Sequence, residues 1–396
     1  MTGHLNVAVT SLGASCAAGA NVSELKAALR SPSRLFAPDQ EHNLGFDVTV
    51  AKASAKCFAD HNYPKLNSPT GRLCLKAARE CVERVDVKPD GLVLGTSTGG
   101  QSESEQMVFS LLNGKASDDF SYMAQGCMAS PARLLGRALG IEGPVQTVST
   151  ACTSSSAAIA LGVSWIRSGR CKAVLAGGGD ALCHTTITSF YALGLTATEF
   201  CRPFGPDRPG LTLGEGAGFV LLQPLKDALA MGHSPIAQIA GVGMSSDAHH
   251  MTAPPADGAG AEVAMRRALA DAGLTKNDIT HINAHGTGTQ LNDIAEAAAI
   301  TRLFGKNVPV SSCKGLLGHT LGGAGALEAV ASCLAIKAKR AFENLGAEIP
   351  GDDCLVTLVG SKGAFIGDNP MVMSNSFAFG GNNCVLVFAS DKPEAP

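Results

Sequence analysis

The same order of strand-like and helix-like segments occurs twice along this 396-residue chain. Short apolar runs that end in Gly, Ser or Thr predict strands, and the segments between them have the apolar spacing of helices. The strand runs LNVAVTSLG, GLVLGTSTGG, PVQTVST and KAVLAGGGD match SPIAQIAGVGMSSDA, ITHINAHGTGT, NVPVSSCKG and PMVMSNSFAFGG in the same order. Generic α/β alternation explains any single match, whereas the shared order favours a duplication. We therefore predict an α/β protein with two similar halves, residues 1–228 and 229–396.

The net charge and the spacing of the cysteines argue against several classes of protein. The net charge of −3 and the isoelectric point near 6.4 give no reason to expect nucleic acid or an anionic membrane as a partner. The N-terminal run lacks the segments of a signal peptide, and no apolar run approaches the ~20 residues that span a bilayer. None of the thirteen cysteines stands in a C-x-x-C pair, so we expect no disulfide framework or zinc site of that spacing. We predict a cytoplasmic protein whose cysteines are mostly reduced, buried and inert.

Cys152 is a candidate exception, in the stretch VSTACTSSSAAIAL. Strand residues precede it and an Ala- and Ser-rich helix follows, which predicts that the thiol lies near a helix N-terminus. There the free N–H groups and the helix dipole favour a thiolate and lower the thiol pKa. The neighbours Ala151, Thr153 and Ser154 are small and leave room for an acyl group. A buried structural cysteine is the alternative on this stretch alone.

Two histidines lie in turns between predicted elements. His285 ends a strand in NAHGTGTQLND, a small polar loop in which Thr287 and Thr289 offer hydroxyls to a ligand. His319 stands just before a long helix in SSCKGLLGHTLGGAGALEA. A lone histidine usually has a structural or surface role, but the loop of His285 allows its side chain to project into a cleft.

Lys314 precedes His319 in the same turn, and Glu328 follows it on an otherwise apolar helix. A buried glutamate needs a cation, and Lys314 is the natural partner; a surface salt bridge is the alternative. Phe379, in SNSFAFGGNN, precedes two glycines. The composition of this stretch favours packing of the Phe379 ring in the core, although the two glycines allow a backbone N–H to face a ligand.

One cysteine and two histidines on separate turns indicate acyl transfer. The cysteine attacks a thioester, and neutral imidazoles donate N–H bonds to an enolate oxygen on a second substrate. Hydrolysis would instead call for one base and an attacking water.

These motifs resemble those of the β-ketoacyl-[acyl-carrier-protein] synthases, the condensing enzymes of fatty-acid and polyketide assembly. The motifs are STACTSS, AHGTGTQLND, CKGLLGHTLGGAGALEA and NSFAFGGNN, and the resemblance extends over essentially the whole chain. It implies a thiolase-like fold in which two βαβαβαββ halves form a five-layered α-β-α-β-α core. It also implies an acyltransferase that loads an acyl chain onto a cysteine and then performs a decarboxylative Claisen condensation with malonyl-carrier protein.

The resemblance assigns roles to residues of this sequence. It implies that Cys152 is acylated, that His285 and His319 assist decarboxylation, and that Lys314 orients the site together with Glu328.

The resemblance also implies an oxyanion hole, formed by the backbone N–H groups of Cys152 and Phe379, with Phe379 as a gate. It implies no organic cofactor, because the substrates are carried on the phosphopantetheine of an acyl carrier protein. The expected assembly is a homodimer or a heterodimer with a related synthase or chain-length-factor subunit. Some members bind a monovalent cation, and the matching positions here are Asn283, Glu296, Glu328, Ser374 and Asn383.

The Arg202–Leu213 loop departs from the family pattern, because RPFGPDRPGLTL replaces the usual RPFDxxRDGF motif. Ala378 also replaces a glycine before Phe379. These departures favour a dedicated synthase of a specialised pathway, such as polyketide or aryl-polyene formation, over a housekeeping fatty-acid enzyme.

Two alternatives share the expected fold. A chain-length-factor-like partner subunit typically lacks the nucleophilic cysteine, which this chain keeps as Cys152. A CoA-dependent thiolase needs a second catalytic cysteine in a C-terminal Cys-x-Gly turn, and neither Cys354 nor Cys384 precedes such a glycine.

Overall fold

The computed structural model describes residues 6–59, 68–114 and 125–390. The strands are β1 (Val7–Cys16), β2 (Ala37–Pro38), β3 (Thr49–Ala51), β4 (Gly91–Gly95), β5 (Val145–Val148), β6 (Val174–Asp180), β7 (Leu213–Gly214), β8 (Gly216–Pro224), β9 (Ala237–Ser246), β10 (His281–Asn283), β11 (Pro309–Ser311), β12 (Arg340–Ala341), β13 (Thr357–Leu358), β14 (Ala364–Phe365), β15 (Met371–Phe377) and β16 (Asn382–Ala389). The helices are α1 (Val22–Arg30), α2 (Pro69–Glu83), α3 (Gln101–Leu112), α4 (Ser130–Ala138), α5 (Ser154–Arg167), α6 (His184–Ala192), α7 (Leu225–Ala230), α8 (Ala259–Ala272), α9 (Gln290–Phe304), α10 (Lys314–Leu317) and α11 (Ala324–Ala338).

An eleven-stranded sheet in the order β13-β11-β10-β15-β16-β9-β1-β8-β6-β4-β5 joins the two halves. The first half contributes β1-β8-β6-β4-β5, and the second contributes β9-β16-β15-β10-β11 in the same spatial order. The two sets meet where Val7–Val9 of β1 pairs antiparallel with Ala237–Ile239 of β9. This repeated strand order confirms the predicted α/β fold with two similar halves. A boundary between residues 228 and 229 stays a prediction.

Helices α5 and α11 form the layer between the two parts of the sheet. Helix α5 packs against β4, β6 and β8, helix α11 packs against β8 and β15, and the two helices contact each other. Helix α2 covers the outer side of β1 and β8, while α8 covers β9 and β16 and contacts α9. The resulting order of layers is the predicted α-β-α-β-α.

The apolar character of the central helices follows from this position. Every residue of α11 from Ala324 to Ile336 is buried, including Glu328 and Ser332. The segment Leu321–Ala338 is long and apolar enough to cross a bilayer, but 89% of it is buried inside the protein. It is therefore explained as a core helix.

The carboxyl ends of the parallel strands lie on one edge in each half. Strands β5, β4 and β6 run parallel, as do β11, β10 and β15. The turns that follow β5, β10 and β11 carry Cys152, His285 and Lys314, respectively. Ligands of open α/β sheets bind outside such strand ends, so the fold predicts the position of the site.

Candidate active site

A cavity of about 380 Å³ lies where the loops of the two halves meet. Its walls include the predicted nucleophile, both histidines, both threonines and the gate, which are Cys152, His285, His319, Thr287, Thr289 and Phe379. The sulfur of Cys152 and one ring nitrogen from each histidine lie within 4.8 Å of one another. The fold thus brings Cys152 beside two histidines that are each more than 130 positions from it in the sequence.

Cys152 occupies a tight turn between β5 and α5. Ala151 has a positive φ of 52°, and the hydroxyl of Ser154 accepts the N–H of Thr150 at 2.9 Å and donates to the carbonyl of Ala151 at 2.6 Å. These contacts close the turn and direct the following thiol toward the cavity. The small Ser side chain at the start of α5 is therefore needed for the turn as well as for space.

The thiol pKa differs from the sequence-based expectation. Burial raises the pKa of Cys152 to about 11, although the positive charge of Lys314 and hydrogen bonds from the backbone of Phe379 and Cys152 lower it. The expected fall of the pKa at a helix N-terminus was wrong, because removal of water from the sulfur outweighs these favourable groups. A pKa of about 11 keeps the Cys152 thiol protonated at neutral pH.

Two carboxylates hold the loop that contains His285. They accept hydrogen bonds from its backbone N–H groups rather than from the imidazole ring. Glu296 accepts the backbone N–H groups of His285 at 2.9 Å and Gly286 at 2.8 Å. Asp293 accepts the N–H of Thr287 at 3.0 Å and that of Phe204 at 2.7 Å. The loop between β10 and α9 is therefore fixed by two acids from the first turns of α9.

Hydrogen bonds fix both the backbone and the ring of His319. Its N–H donates to the carbonyl of Thr212 at 2.7 Å, and its carbonyl accepts the N–H of Gly214 at 3.0 Å. The N–H of Leu321 donates to His319 Nδ1 at 3.1 Å. This ring nitrogen therefore acts as an acceptor, which leaves the proton of a neutral imidazole on Nε2.

Lys314 and Glu328 form the expected buried ion pair, and each is 2% exposed. The Lys314 ammonium also donates to the carbonyl of His285 at 2.5 Å and to His285 Nδ1 at 3.2 Å. Burial raises the pKa of Glu328, and Lys314 opposes that rise. The second carboxylate oxygen of Glu328 accepts the hydroxyl of Ser376 at 3.2 Å.

Both imidazoles are neutral donors. Burial, reinforced by the charge of Lys314, holds the pKa values of His285 and His319 well below the ordinary histidine value. The Nδ1 atom of each ring accepts a hydrogen bond, from Lys314 and from Leu321. Each ring therefore offers an Nε2–H group, and the two rings meet edge to face with centroids 5.4 Å apart.

The predicted gate and the threonines line the cavity. Phe379 is half-buried and stacks on Phe190 with ring centroids 5.6 Å apart. Gly380, which follows it, has a φ of 80°, a conformation that glycine adopts without strain. The hydroxyls of Thr287 and Thr289 contact each other at 2.8 Å.

The residues predicted for a monovalent cation do not all lie together. Asn283 and Ser374 are register partners on β10 and β15. Asn383 lies elsewhere, because its amide donates to Ser245 at 3.2 Å and to Asp247 at 2.6 Å. Asn383 was included for its residue type, and the five-residue set stays a prediction.

Asn375 contacts Glu296, one of the residues predicted for the cation, and sequence reasoning missed it. Its Nδ2 donates to Glu296 at 3.1 Å, and its buried Oδ1 has no hydrogen-bond partner among the described residues. An orphaned amide oxygen beside a buried carboxylate suits a hard cation. Glu328 fits less well, since its oxygens already bind Lys314 and Ser376. The position of Asn375 beside Ser374 was the available signal.

Asp293 is a second residue that sequence reasoning missed. It is fully buried, and it fixes the loop of His285 as described above. The acid in QLND, shortly after the small polar loop, was the only sequence signal.

Both halves of the chain match models of one protein family. Residues 5–228 match "Beta-ketoacyl synthase, N-terminal domain" and residues 236–348 match "Beta-ketoacyl synthase, C-terminal domain". Nodulation protein E of Rhizobium sp. (strain N33) is 34% identical over 399 residues, which cover 96% of this chain and 98% of that protein. The 3-oxoacyl-[acyl-carrier-protein] synthase 2 of Synechocystis sp. is 36% identical over 323 residues, which cover 78% of this chain and 77% of that protein.

A solved structure gives the same result for the fold. "The ishigamide ketosynthase/chain length factor" superposes with a TM-score of 0.92 at 30% identity, and the match covers 98% of this chain and 100% of that chain. The predicted resemblance and the thiolase-like fold are confirmed. The chain belongs to the β-ketoacyl synthase family of acyl-transferring condensing enzymes.

Proposed function

We propose that this protein elongates an acyl chain carried by an acyl carrier protein, with Cys152 as the acylated residue. The observation that carries the proposal is the convergence of the Cys152 sulfur with one nitrogen of His285 and one of His319 within 4.8 Å. A thiol beside two neutral N–H donors suits covalent acyl transfer followed by stabilisation of an enolate.

In the first half-reaction the sulfur of Cys152 attacks the thioester carbon of the acyl-carrier. The new bond joins sulfur to the acyl carbon, the bond to the carrier sulfur breaks, and the thiol proton passes to the released carrier thiol. The backbone N–H groups of Cys152 and Phe379 receive the oxyanion of the tetrahedral intermediate. The hydrogen bonds from these backbone groups that lower the thiol pKa support this role.

In the second half-reaction malonyl-carrier loses CO₂, and its thioester becomes an enolate. The Nε2–H groups of His285 and His319 donate to the enolate oxygen, on which the negative charge develops. The enolate carbon attacks the acyl carbon, and the Cys152 sulfur leaves as a thiolate. The raised pKa of that thiol, about 11, favours immediate uptake of a proton from water. The product is a 3-oxoacyl-carrier two carbons longer.

Lys314 supports the second half-reaction without touching the substrate. Its ammonium donates to Nδ1 of His285 and thereby keeps the proton of that ring on Nε2. The carboxylate of Glu328 pairs with this ammonium and offsets the free-energy cost of burying its charge.

The partners follow from the same proposal. Acyl and malonyl groups arrive on the phosphopantetheine of an acyl carrier protein, so no organic cofactor is needed. The protein works in the cytoplasm as a homodimer or as a heterodimer with a chain-length-factor subunit. The name of the ishigamide structure, which pairs a ketosynthase with a chain length factor, supports the heterodimer and a specialised polyketide-like pathway. The altered Arg202–Leu213 loop, of which Arg208 to Leu211 line the cavity, supports a substrate range of its own.

The two alternatives lack support from the site. A chain-length factor does not need a cysteine between two histidines. A thiolase needs a second cysteine at the reacting atoms, but among the described residues that line the cavity Cys152 is the one cysteine. Cys354 contacts Arg208 at 3.2 Å, and Cys384 is fully buried in β16.

We further propose that a monovalent cation binds beside the site, at Asn283, Glu296, Ser374 and Asn375. The orphaned Oδ1 of Asn375 supports this set. The melting temperature should be higher in potassium chloride than in choline chloride, and Asn375→Leu should remove that difference. An equal difference in both proteins would contradict the assignment.

The decisive experiment is intact-protein mass spectrometry after incubation with acyl-carrier. Cys152→Ala should carry no acyl group, while Cys127→Ala, which removes an exposed cysteine, should load normally. His285→Ala and His319→Ala should retain acyl loading and reduce decarboxylation of malonyl-carrier to a residual rate. Acylation that persists in Cys152→Ala would refute the proposed function.

A further inference from the structure

Asp180 is a fully buried carboxylate for which the proposed mechanism has no direct role. It is the last residue of β6, and it binds the loop that follows β4. The N–H and hydroxyl of Ser97 donate to Oδ2 at 2.9 and 2.6 Å, and the N–H and hydroxyl of Thr98 donate to Oδ1 at 3.0 and 2.8 Å. The hydroxyl of Thr96 also donates to Oδ1. In the described part of the chain, its hydrogen-bond partners are thus N–H and O–H groups rather than cationic side chains.

One further donor to Asp180 comes from the other half of the chain. The N–H of Gly322 donates to Oδ2 at 2.7 Å. Gly322 is the middle residue of the short 3₁₀ turn Leu321–Gly323, which directly follows the catalytic segment His319–Thr320. A carboxylate of the first half therefore holds a turn of the second half.

The held turn is tightly packed and conformationally unusual. Leu321 has a φ of 54°, which is uncommon for a residue with a side chain. A Cβ atom on Gly322 would lie 2.5 Å from the backbone nitrogen of Ser97 and 2.6 Å from the Asp180 carboxylate. Backbone of this kind persists where the surrounding structure determines it. Asp180 supplies one such contact, through the N–H of Gly322.

The same turn sets the protonation pattern of His319. The N–H of Leu321 donates to His319 Nδ1 at 3.1 Å, which leaves the imidazole proton on Nε2, facing the reaction. If the turn relaxed, Nδ1 could carry the proton instead. The Nε2 atom would then be an acceptor and could not donate to an enolate oxygen.

We propose that Asp180 is a positioning residue for His319: it clamps the Leu321–Gly323 turn through the Gly322 N–H and so fixes the imidazole orientation and tautomer for decarboxylation. This inference rests on the proposed role of His319. It predicts an effect confined to the second half-reaction, because none of the groups that donate hydrogen bonds to Asp180 among the described residues belongs to the Cys152 turn.

The test is Asp180→Asn, which keeps the shape but points an amide N–H toward groups that are themselves donors. Decarboxylation of malonyl-carrier should fall roughly 100-fold, the lower end of the cost of losing an oxyanion donor. Acyl loading of Cys152 should stay within about threefold, since backbone groups elsewhere support that step. The matched control is Glu80→Gln, because Glu80 also accepts backbone N–H groups, from Ala14 at 3.0 Å and Val22 at 2.9 Å, on the outer helix α2. That variant should change neither step.

A double-mutant cycle separates positioning from a general structural role. Asp180→Asn should add no further loss of decarboxylation in a His319→Ala background. If Asp180→Asn fails to fold, Ser97→Ala, which removes one hydroxyl donor to the carboxylate, takes its place in the same cycle with a smaller loss.

Each outcome has a definite meaning. Equal losses of loading and decarboxylation, or an additional loss in the His319→Ala background, would overturn the role of Asp180. No loss of decarboxylation in either Asp180→Asn or Ser97→Ala would overturn it as well. If His319→Ala alone leaves decarboxylation intact, the proposed function of the histidine fails, which is a distinguishable result.

Discussion

Replacement of Lys314 by methionine tests the electrostatics of the site. Methionine keeps most of the apolar length of lysine but removes the ammonium that binds Glu328, the carbonyl of His285 and His285 Nδ1. Glu328 is 2% exposed, so the variant leaves a buried carboxylate whose only remaining side-chain donor among the described residues is Ser376. Breaking one partner of a buried ion pair costs about 3–5 kcal/mol of stability.

The loss should depend on pH in a definite direction. Burial already raises the pKa of Glu328, and Lys314 lowers it, so the pKa rises further in Lys314→Met. A group whose folded-state pKa is raised binds more protons when folded, and stability falls as pH rises. The stability difference between variant and wild type should therefore be larger at about pH 8.5 than at about pH 5.5.

Urea denaturation at both pH values measures this difference, with Lys339→Met as the matched control. Lys339 pairs with Asp368 at 2.9 Å, but both side chains are at least half exposed, so its loss should cost less than about 1 kcal/mol. Glu328→Gln in the Lys314→Met background should restore part of the stability, because no charge is then left unpaired. It should not restore decarboxylation, because His285 Nδ1 still lacks its donor. A Lys314→Met protein as stable as wild type at about pH 8.5, or equally destabilised at both pH values, would refute this account of Glu328.

Three further predictions concern single residues. Because the pKa of the Cys152 thiol is about 11, its alkylation by iodoacetamide should keep accelerating above about pH 9, past the ordinary thiol pKa; peptide mapping that shows a plateau below that pH would contradict this. Burial raises the pKa of Glu296 to about 7 when no cation is bound. In choline chloride the contribution of Glu296 to stability should therefore fall between about pH 4.5 and pH 7, and Glu296→Gln should remove about 3 kcal/mol of that pH dependence; an unchanged pH profile of the urea midpoint would count against it. Asp293→Ala leaves the buried N–H groups of Phe204 and Thr287 unpaired and should cost about 1–3 kcal/mol per orphaned group in the same assay, whereas the exposed change Asp227→Ala should cost less than about 0.5 kcal/mol.

The fold was predictable because short segments show the strand and helix patterns by themselves, and because the same order of segments occurs twice along the chain. Runs such as GLVLGTSTGG and ITHINAHGTGT show strand periodicity and a Gly/Thr turn without any tertiary information. Parallel strands expose their carboxyl ends on one edge, so the convergence of Cys152, His285 and Lys314 follows from the turns that carry them. The buried partnership of Lys314 with Glu328 was predictable for a similar reason, since an acid on an apolar helix needs a cation.

Other features depend on contacts between distant segments. The pKa of Cys152 is set by how completely the assembled halves exclude water, and the local helix N-terminus suggests the opposite shift. Asp293 and Asp180 act on backbone N–H groups of loops that sequence spacing does not connect with them, such as those of Phe204 and Gly322. A backbone donor has no side-chain signature, so such acids look like ordinary polar residues in the sequence. The contact of the Asn375 amide with Glu296 was likewise not predictable, because it joins strand β15 to helix α9 across the fold.

The pairing of β1 with β9 has a consequence for the order of the catalytic cycle. The sulfur of Cys152 belongs to one half and the imidazoles to the other, and the sheet and the α5–α11 layer cross the boundary between them. A hinge movement that separated the halves would break backbone hydrogen bonds and expose the core of the protein. A change in the distance from sulfur to imidazole therefore requires movement of side chains or loops, not separation of the two halves. In the proposed mechanism, the chemical state of the Cys152 sulfur, free or acylated, then determines whether the next carrier deposits an acyl group or extends the chain.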